Sequence, residues 1–224
     1  MVIFKNVSKI YSKNGSPAVR ALEDVSLEIS KGSFVAIVGP SGSGKSTLMN
    51  IMGLLDRPTS GTYTLDGSMV SSLSDDELAR MRNQKIGFVF QTFHLLPRAT
   101  AKENVELPLV YSDRSDTGMS AAGVLKAVGL EQRMDHYPGE MSGGEQQRVV
   151  IARALINDPE IILADEPTGN LDSHASQEIM KILQGLHHSG RTIVLITHDQ
   201  ELARQAQRII QITDGRLPHG MGDL

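Results

Sequence analysis

Cysteine is absent from the 224 residues, which excludes disulfides and thiolate metal sites and permits a reducing compartment. A basic excess is also absent. The 22 Lys and Arg stand against 26 Asp and Glu, and the basic residues are scattered rather than gathered into a stripe. Nucleic acid and an anionic membrane surface are therefore not the expected partners. No apolar run approaches the roughly 20 residues needed to span a bilayer. The first twenty residues, with Lys5, Lys9, Lys13 and Arg20, contain no apolar block of signal-peptide length. The expectation is a soluble, cytoplasmic chain. Aromatics are few, with four Tyr, five Phe and no Trp, so each one placed near a candidate site carries weight. No internal repeat would supply two copies of one ligand site.

What is present is length for one large domain, or a core with an inserted lobe, and a rhythm of short apolar runs. FVAIV (34–38), IGFVF (86–90), IILA (161–164), TIVLI (192–196) and IIQIT (209–213) are continuous enough to predict strands buried on both faces of a parallel sheet. Helical patterns lie between several of them, including KSTLMNIMGLL and SQEIMKILQGLHH, which predicts an α/β fold. VIFKNVS, VSLEIS and GTYTLDG alternate and predict a small antiparallel sheet near the N-terminus. From Thr92 to Leu155 no strand is predicted. That stretch offers TAKENVELPLV, SAAGVLKAVGL and a helix from 142, separated by Pro108, Gly118, Pro138 and Gly139, and is expected to be an inserted helical lobe.

AIVGPSGSGKSTLMNI places a strand, a glycine-rich turn and a helix in sequence. Gly39, Gly44, Lys45 and Ser46 fit G-x-x-x-x-G-K-[ST], with Pro40, Ser41, Gly42, Ser43 and Thr47 completing the turn. Glycines let backbone N–H groups converge on phosphate oxygens, and the helix N-terminus adds partial positive charge. Lys45 can reach β and γ phosphates, and Ser46 offers a hydroxyl to Mg²⁺. IILADEPTGNLD ends a buried strand in Asp165, at the sheet edge where ligands of open α/β sheets collect, so Asp165 can hold Mg²⁺ through water. Glu166 follows and can orient an attacking water or take its proton. Gln91 ends IGFVFQ and could meet Mg²⁺ and a γ-phosphate, although a lone strand-end Gln is more often polar punctuation. His198, after the run ending in Ile196, is on position alone more often a turn residue.

MSGGEQQRVVIARAL (141–155) presents a further question. Two glycines in a first helical turn each cost roughly 0.5 to 1 kcal/mol relative to Ala. Ser142 can N-cap the helix, and Gly143 and Gly144 leave room for an anion at the free N–H groups. Ser142 and Glu145 also fit a capping box, in which the Glu145 carboxylate turns back to the Ser142 N–H. Glu145 is therefore expected to cap rather than to contact phosphate. Arg148 and Arg153 are expected to be internal ion-pair or helix-surface residues.

Together these segments, in this order, resemble the ATP-binding subunit of ABC transporters across essentially the whole chain. The resemblance implies a P-loop NTPase (RecA-like) core with an N-terminal antiparallel β subdomain and an inserted α-helical subdomain. Residues 1–91 would be the nucleotide-binding core with its β subdomain, 92–155 the helical signature subdomain, and 156–224 the rest of the core. It further implies that Tyr11 stacks on adenine, that residues 39–47 are the Walker A loop, and that Gln91 is the Q-loop glutamine. SGGEQ resembles the signature motif, IILAD Walker B, Glu166 the catalytic glutamate, GNLD the D-loop and His198 the switch histidine. Met141 and Glu145 depart from the common L-S-G-G-Q form. LADEPTGNLD, FHLLPRATAKENVELPLV and STLMNIMGLLDRPTSGTYTLDG resemble the macrolide-export and lipoprotein-releasing subfamily, while GNLD and SGGEQQR are shared with a cell-division ATPase. The resemblance thus implies ATP and Mg²⁺, a head-to-tail homodimer, a separate integral-membrane permease, attachment to the inner face of the membrane, and room for a periplasmic or extracellular adaptor through that permease. FHLLP (93–97) is by composition more often core than interface, yet after Gln91 it could line a groove for a permease helix. The alternative role is regulation of a membrane partner in division or envelope remodelling without transport.

Overall fold

Ten residues at the start of the chain alternate in burial and pair on both sides, and this opening strand organises the first sheet. The computed structural model describes residues 1–12, 18–112 and 119–218; Lys13 and Gly118 lie outside them. The elements are β1 (Val2–Tyr11), β2 (Val19–Ile29), β3 (Phe34–Val38), α1 (Lys45–Met52), β4 (Ser60–Leu65), β5 (Ser68–Met69), α2 (Asp75–Lys85) and β6 (Ile86–Phe90). They continue with α3 (Ala101–Glu106), α4 (Ala121–Ala127), α5 (Gly143–Leu155), β7 (Ile161–Asp165), α6 (Ser173–His188), β8 (Thr192–Ile196), α7 (Gln200–Ala203) and β9 (Arg208–Gln211). The chain divides into two compact units, Met1–Ala79 with Val194–Leu224, and Arg80–Ile193.

In the first unit, β2, β1, β4 and β5 form an antiparallel sheet in that order. Phe4 of β1 faces Leu27 of β2 and Tyr63 of β4, and its ring meets Tyr63 edge to face at 4.6 Å. Tyr63 is buried, and its hydroxyl donates to the Met52 carbonyl at 2.7 Å, tying this sheet to the end of α1. Burial pushes the Tyr63 phenol well above its usual range. β3 pairs in parallel with β9, from Val35 opposite Arg208 to Val38 opposite Gln211. All five residues of β3 are buried, as a strand covered on both faces requires. β9 stops two residues short of the predicted run because Thr213 instead bridges to Arg216 in a turn.

In the second unit, β6 and β7 pair in parallel, with Phe90 opposite Asp165, so residue 91 and the acidic pair leave the sheet at the same edge. Among the described residues between 92 and 155 there is no strand. α3 begins with a Thr100–Glu103 capping box and gives way at Leu107 to a 3₁₀ turn with Pro108 near its start. α5 buries Gln147, Val149, Val150, Ile151, Ala152 and Leu155 on one face and packs on β6, α3, α4 and α6. α6 is capped by Asp172, whose carboxylate accepts from the Ala175 N–H at 2.8 Å.

Candidate functional site

The glycine-rich turn after β3 is closely fitted in the first unit. A Cβ on Gly39 would lie 2.2 Å from the Ile212 carbonyl oxygen, so no side chain fits there. Gly44 has φ of 103°, and a Cβ would meet the Ala21 carbonyl at 2.5 Å. It stands at the N-cap of α1, where no side chain takes up the free N–H groups. Lys45 Nζ donates to the carbonyls of Gly39 and Pro40, each at 2.8 Å, which folds the ammonium back onto the loop. Ser43 is 2% exposed, and its Oγ has no hydrogen-bond partner. Ser41, Gly42 and Ser46 are exposed, and Thr47 is half-buried. An uncapped helix mouth, a folded-back ammonium and an orphaned buried hydroxyl fit a polyphosphate.

Tyr11 ends β1, and its hydroxyl donates to Asp56 Oδ2 at 2.7 Å and also engages the Thr47 side chain. Lys9 Nζ lies 4.8 Å from the Tyr11 ring centroid and 2.5 Å from Asp56 Oδ1. Partial burial raises the Tyr11 phenol, reinforced by the Asp56 carboxylate. Burial works to raise the Asp56 carboxyl as well, but the hydrogen bonds from Lys9 and Tyr11 outweigh it and hold it below its usual range. Tyr11 remains 42% exposed, enough to receive a flat ligand. His198 is exposed just past β8, in a turn where the Asp199 N–H donates to Thr197 Oγ1 at 3.0 Å.

In the second unit, Gln91 and Asn170 exchange hydrogen bonds. Gln91 Nε2 donates to Asn170 Oδ1 at 3.3 Å, and Asn170 Nδ2 donates to the Gln91 carbonyl at 3.1 Å. Asp165 and Glu166 are both half-buried. Glu166 has φ of 44°, a left-handed conformation rare for a residue with a side chain, and Pro167 follows it. The Glu166 carbonyl accepts from the Gly169 N–H at 3.0 Å, closing a turn.

The helix mouth at 142 contains the capping box. Ser142 Oγ accepts from the Glu145 N–H at 3.3 Å, and Glu145 Oε2 accepts from the Ser142 N–H at 2.8 Å and from Ser142 Oγ at 2.9 Å. Arg133 Nε donates to Glu145 Oε1 at 3.1 Å. The Ser142 N–H holds the Glu145 carboxyl below its usual range despite partial burial, with help from the Ser142 hydroxyl and Arg133. The paired glycines also have a packing reason. A Cβ on Gly144 would stand 3.0 Å from the Ala175 Cβ, and one on Gly143 would stand 3.3 Å from the Leu171 side chain. In front of this mouth is a cleft of about 270 Å³, lined by Ser142, Gly143, Gly144, Arg148, Asp172 and Glu178 among others. Arg148 pairs with Glu178 at 2.6 Å, and Arg153 donates to the carbonyls of His94 and Phe93 at 2.7 and 2.9 Å.

The sequence gives no local signal for Arg133 or Asp56, because each acts through a partner distant in the chain. Gln147 has one local signal, a polar side chain on the apolar face of α5. Among the described residues no cluster of three or more His, Asp or Glu could hold a metal by itself. A cation bound mainly through phosphate oxygens, with one or two protein groups, suits this inventory.

A glycine-rich turn between a buried strand and a helix, with a lysine folded onto it and parallel strands around it, defines a P-loop NTPase. A sequence profile for ABC transporters matches residues 22–169, and the chain belongs to that family. It is 52% identical over 225 residues to the macrolide export ATP-binding/permease protein MacB of Hyphomonas neptunium, covering all of this chain and 35% of that protein. It is also 52% identical to the ABC transporter ATP-binding protein YvrO of Bacillus subtilis, covering 97% of this chain and 95% of that one. The ATP-binding cassette MJ0796, solved as a dimer in a post-hydrolysis state bound to ADP and Pi, superposes with a TM-score of 0.87 at 50% identity over 97% of this chain and 96% of that one. The chain spans about a third of the length of the first macrolide-export relatives it matches. It is an ABC-type ATPase cassette. No helix among the described residues is long and apolar enough to cross a membrane.

Proposed function

We propose that the chain powers an integral-membrane permease as half of a head-to-tail homodimer, each α5 closing over the ATP held by the other copy's P-loop. The observation that supports this most directly is the presence of two separate phosphate-type arrangements, the uncapped mouth of α1 and the glycine-bearing mouth of α5 above its cleft. The dimer of MJ0796, 50% identical, supports the same assembly. In this reading Tyr11 stacks on adenine, where stacking contributes about 1 to 3 kcal/mol. The backbone of residues 39–47 cradles the phosphates, and Lys45 neutralises charge on the β and γ groups. Ser46, Gln91 and Asp165 would hold Mg²⁺, which would spread the phosphate charge. Glu166 orients the water that attacks the γ-phosphorus, the bond to the β-phosphate oxygen breaks, and ADP and phosphate leave. His198 supports the γ-phosphate. Ser142, Gly143 and Gly144 face the other copy's γ-phosphate, while Glu145 caps.

Residues 92–155 act as the lobe that carries this closure, and Leu96, 49% exposed after Gln91, lies on the face that meets the permease. The whole sits on the inner face of the membrane, driving export, lipoprotein release or mechanical transmission, with an adaptor reached through the permease. Lys45→Ala tests the reading. ATP hydrolysis should fall at least about 100-fold, within the range by which positioned electrostatic groups act; hydrolysis within twofold of wild type would remove the P-loop from the reaction. Stimulation of hydrolysis by a cargo in the reconstituted complex separates transport from regulation of a membrane partner.

A further inference from the structure

Gln147 lies on α5, one helical turn past the glycines, and is fully buried at 0% exposure. Its Nε2 donates to two backbone carbonyls, Pro167 at 2.7 Å and Phe90 at 3.2 Å. Both neighbours are acceptors, so the amide can face them only with its nitrogen. Its Oε1 is buried without a partner. An amide kept in an apolar helix face with its acceptor unsatisfied is retained for its donors.

The two carbonyls are at informative places. Phe90 immediately precedes Gln91, and Pro167 immediately follows Glu166. Glu166 is the residue in the left-handed region, φ 44°, immediately before a proline, a combination that persists only where its surroundings enforce it. The Gly169 N–H closes the turn from one side, and Gln147 holds the Pro167 carbonyl from the other. Gln91 is further latched to Asn170 in the same loop.

We propose that Gln147 is a positioning residue that holds the Glu166–Pro167 turn and the Gln91 strand end in register with α5. The glycine-bearing helix and the two polar groups flanking β6 and β7 then shift as one piece. A phosphate engaged at the mouth of α5 would thereby set the geometry of Glu166 in the same chain, linking the two ATP sites of a dimer. This inference rests on the assignment of Glu166 to the attacking water.

The test compares the full chain with Gln147→Met, which keeps the length and removes both donors. Two readouts are taken, steady-state ATP hydrolysis and hydrogen exchange of the backbone amides of residues 168–171. The expected result is a kcat at least tenfold lower with KM for ATP within twofold, and exchange in 168–171 at least tenfold faster while residues 150–155 of α5 stay protected. Exchange in 168–171 within twofold of wild type in a folded variant overturns the proposal. Equal loss through KM at unchanged kcat also overturns it. If Gln147→Met does not fold, Gln147→Leu, which also lacks the paired N–H donors and brings no charge into the buried site, carries the same two readouts. A wild-type chain that does not hydrolyse ATP defeats the assignment of Glu166, and exchange then decides the pinning on its own.

Discussion

Replacing Glu145 by Gln isolates what a carboxylate does at the mouth of α5. The glutamine keeps an acceptor for the Ser142 N–H, now 2.8 Å from Oε2, so the capping geometry survives. What disappears is charge. A carboxylate at a helix N-terminus contributes about 0.3 to 1 kcal/mol, and the pair with Arg133, whose side chain is 46% exposed, adds about 0.2 to 1 kcal/mol before solvent screening. The variant should lose about 1 kcal/mol, or about 2 to 4 °C in Tm for a chain of this size. The sign with pH follows from the depressed carboxyl. Its contribution is fully present above the unfolded glutamate pKa near 4.5, declines as pH falls below that value, and is gone below the folded pKa. Urea unfolding of both proteins from pH 8 downward measures this. The gap should be flat to about pH 5 and then close. A gap that persists unchanged on acidification would refute the electrostatic origin. ATP-driven dimerisation should change less than tenfold, because the charge is spent on Ser142 and Arg133; tightening of tenfold or more would show that Glu145 opposes the phosphate and does more than cap.

Two further substitutions test the packing. Gly144→Ala replaces a glycine in the first turn of α5, a gain of at most about 0.5 to 1 kcal/mol, but places a methyl 3.0 Å from the Ala175 Cβ. Overpacking of about 1 to 3 kcal/mol should prevail, so Tm falls; adding Ala175→Gly should recover at least about 0.5 kcal/mol in a double-mutant cycle, and strict additivity would deny the contact. Tyr63→Phe leaves the Met52 carbonyl without its buried donor, and chemical denaturation should show a loss of about 1 to 3 kcal/mol; an unchanged midpoint would mean that the hydroxyl contributes nothing.

The P-loop was legible because its chemistry is local: the strand, the turn and the lysine lie within a dozen residues, and β3 runs over the same five residues as the apolar run FVAIV. The capping box at Ser142 was legible for the same reason. α2 was not. It buries only Leu78, so it shows no apolar stripe, and its signals are the acidic first turn at Asp75, Asp76 and Glu77 and the basic last turn at Arg82 and Lys85. The tight approach of Ala175 to Gly144 depends on α6 crossing α5, and no short-range pattern encodes that crossing. Asp56 beneath Tyr11, Arg133 beside Glu145 and the two carbonyls held by Gln147 are likewise brought together by the fold across 12 to 57 residues. Sequence motifs therefore picked out the groups proposed to meet the nucleotide, while the groups that hold those residues in place emerged only from packing.

In the proposed cycle two copies of this chain close around ATP and reopen when Glu166 has directed its hydrolysis. Glu166→Gln keeps the side chain's size and removes its ability to take a proton, a loss worth about 10² to 10⁴ in rate. Light scattering after size-exclusion chromatography in saturating MgATP measures the outcome directly. The expected result is a Glu166→Gln dimer that forms with ATP and persists, while the wild type returns to monomer as ATP is consumed. A Glu166→Gln protein that remains monomeric under saturating MgATP, or a wild type equally dimeric with and without nucleotide, would contradict it.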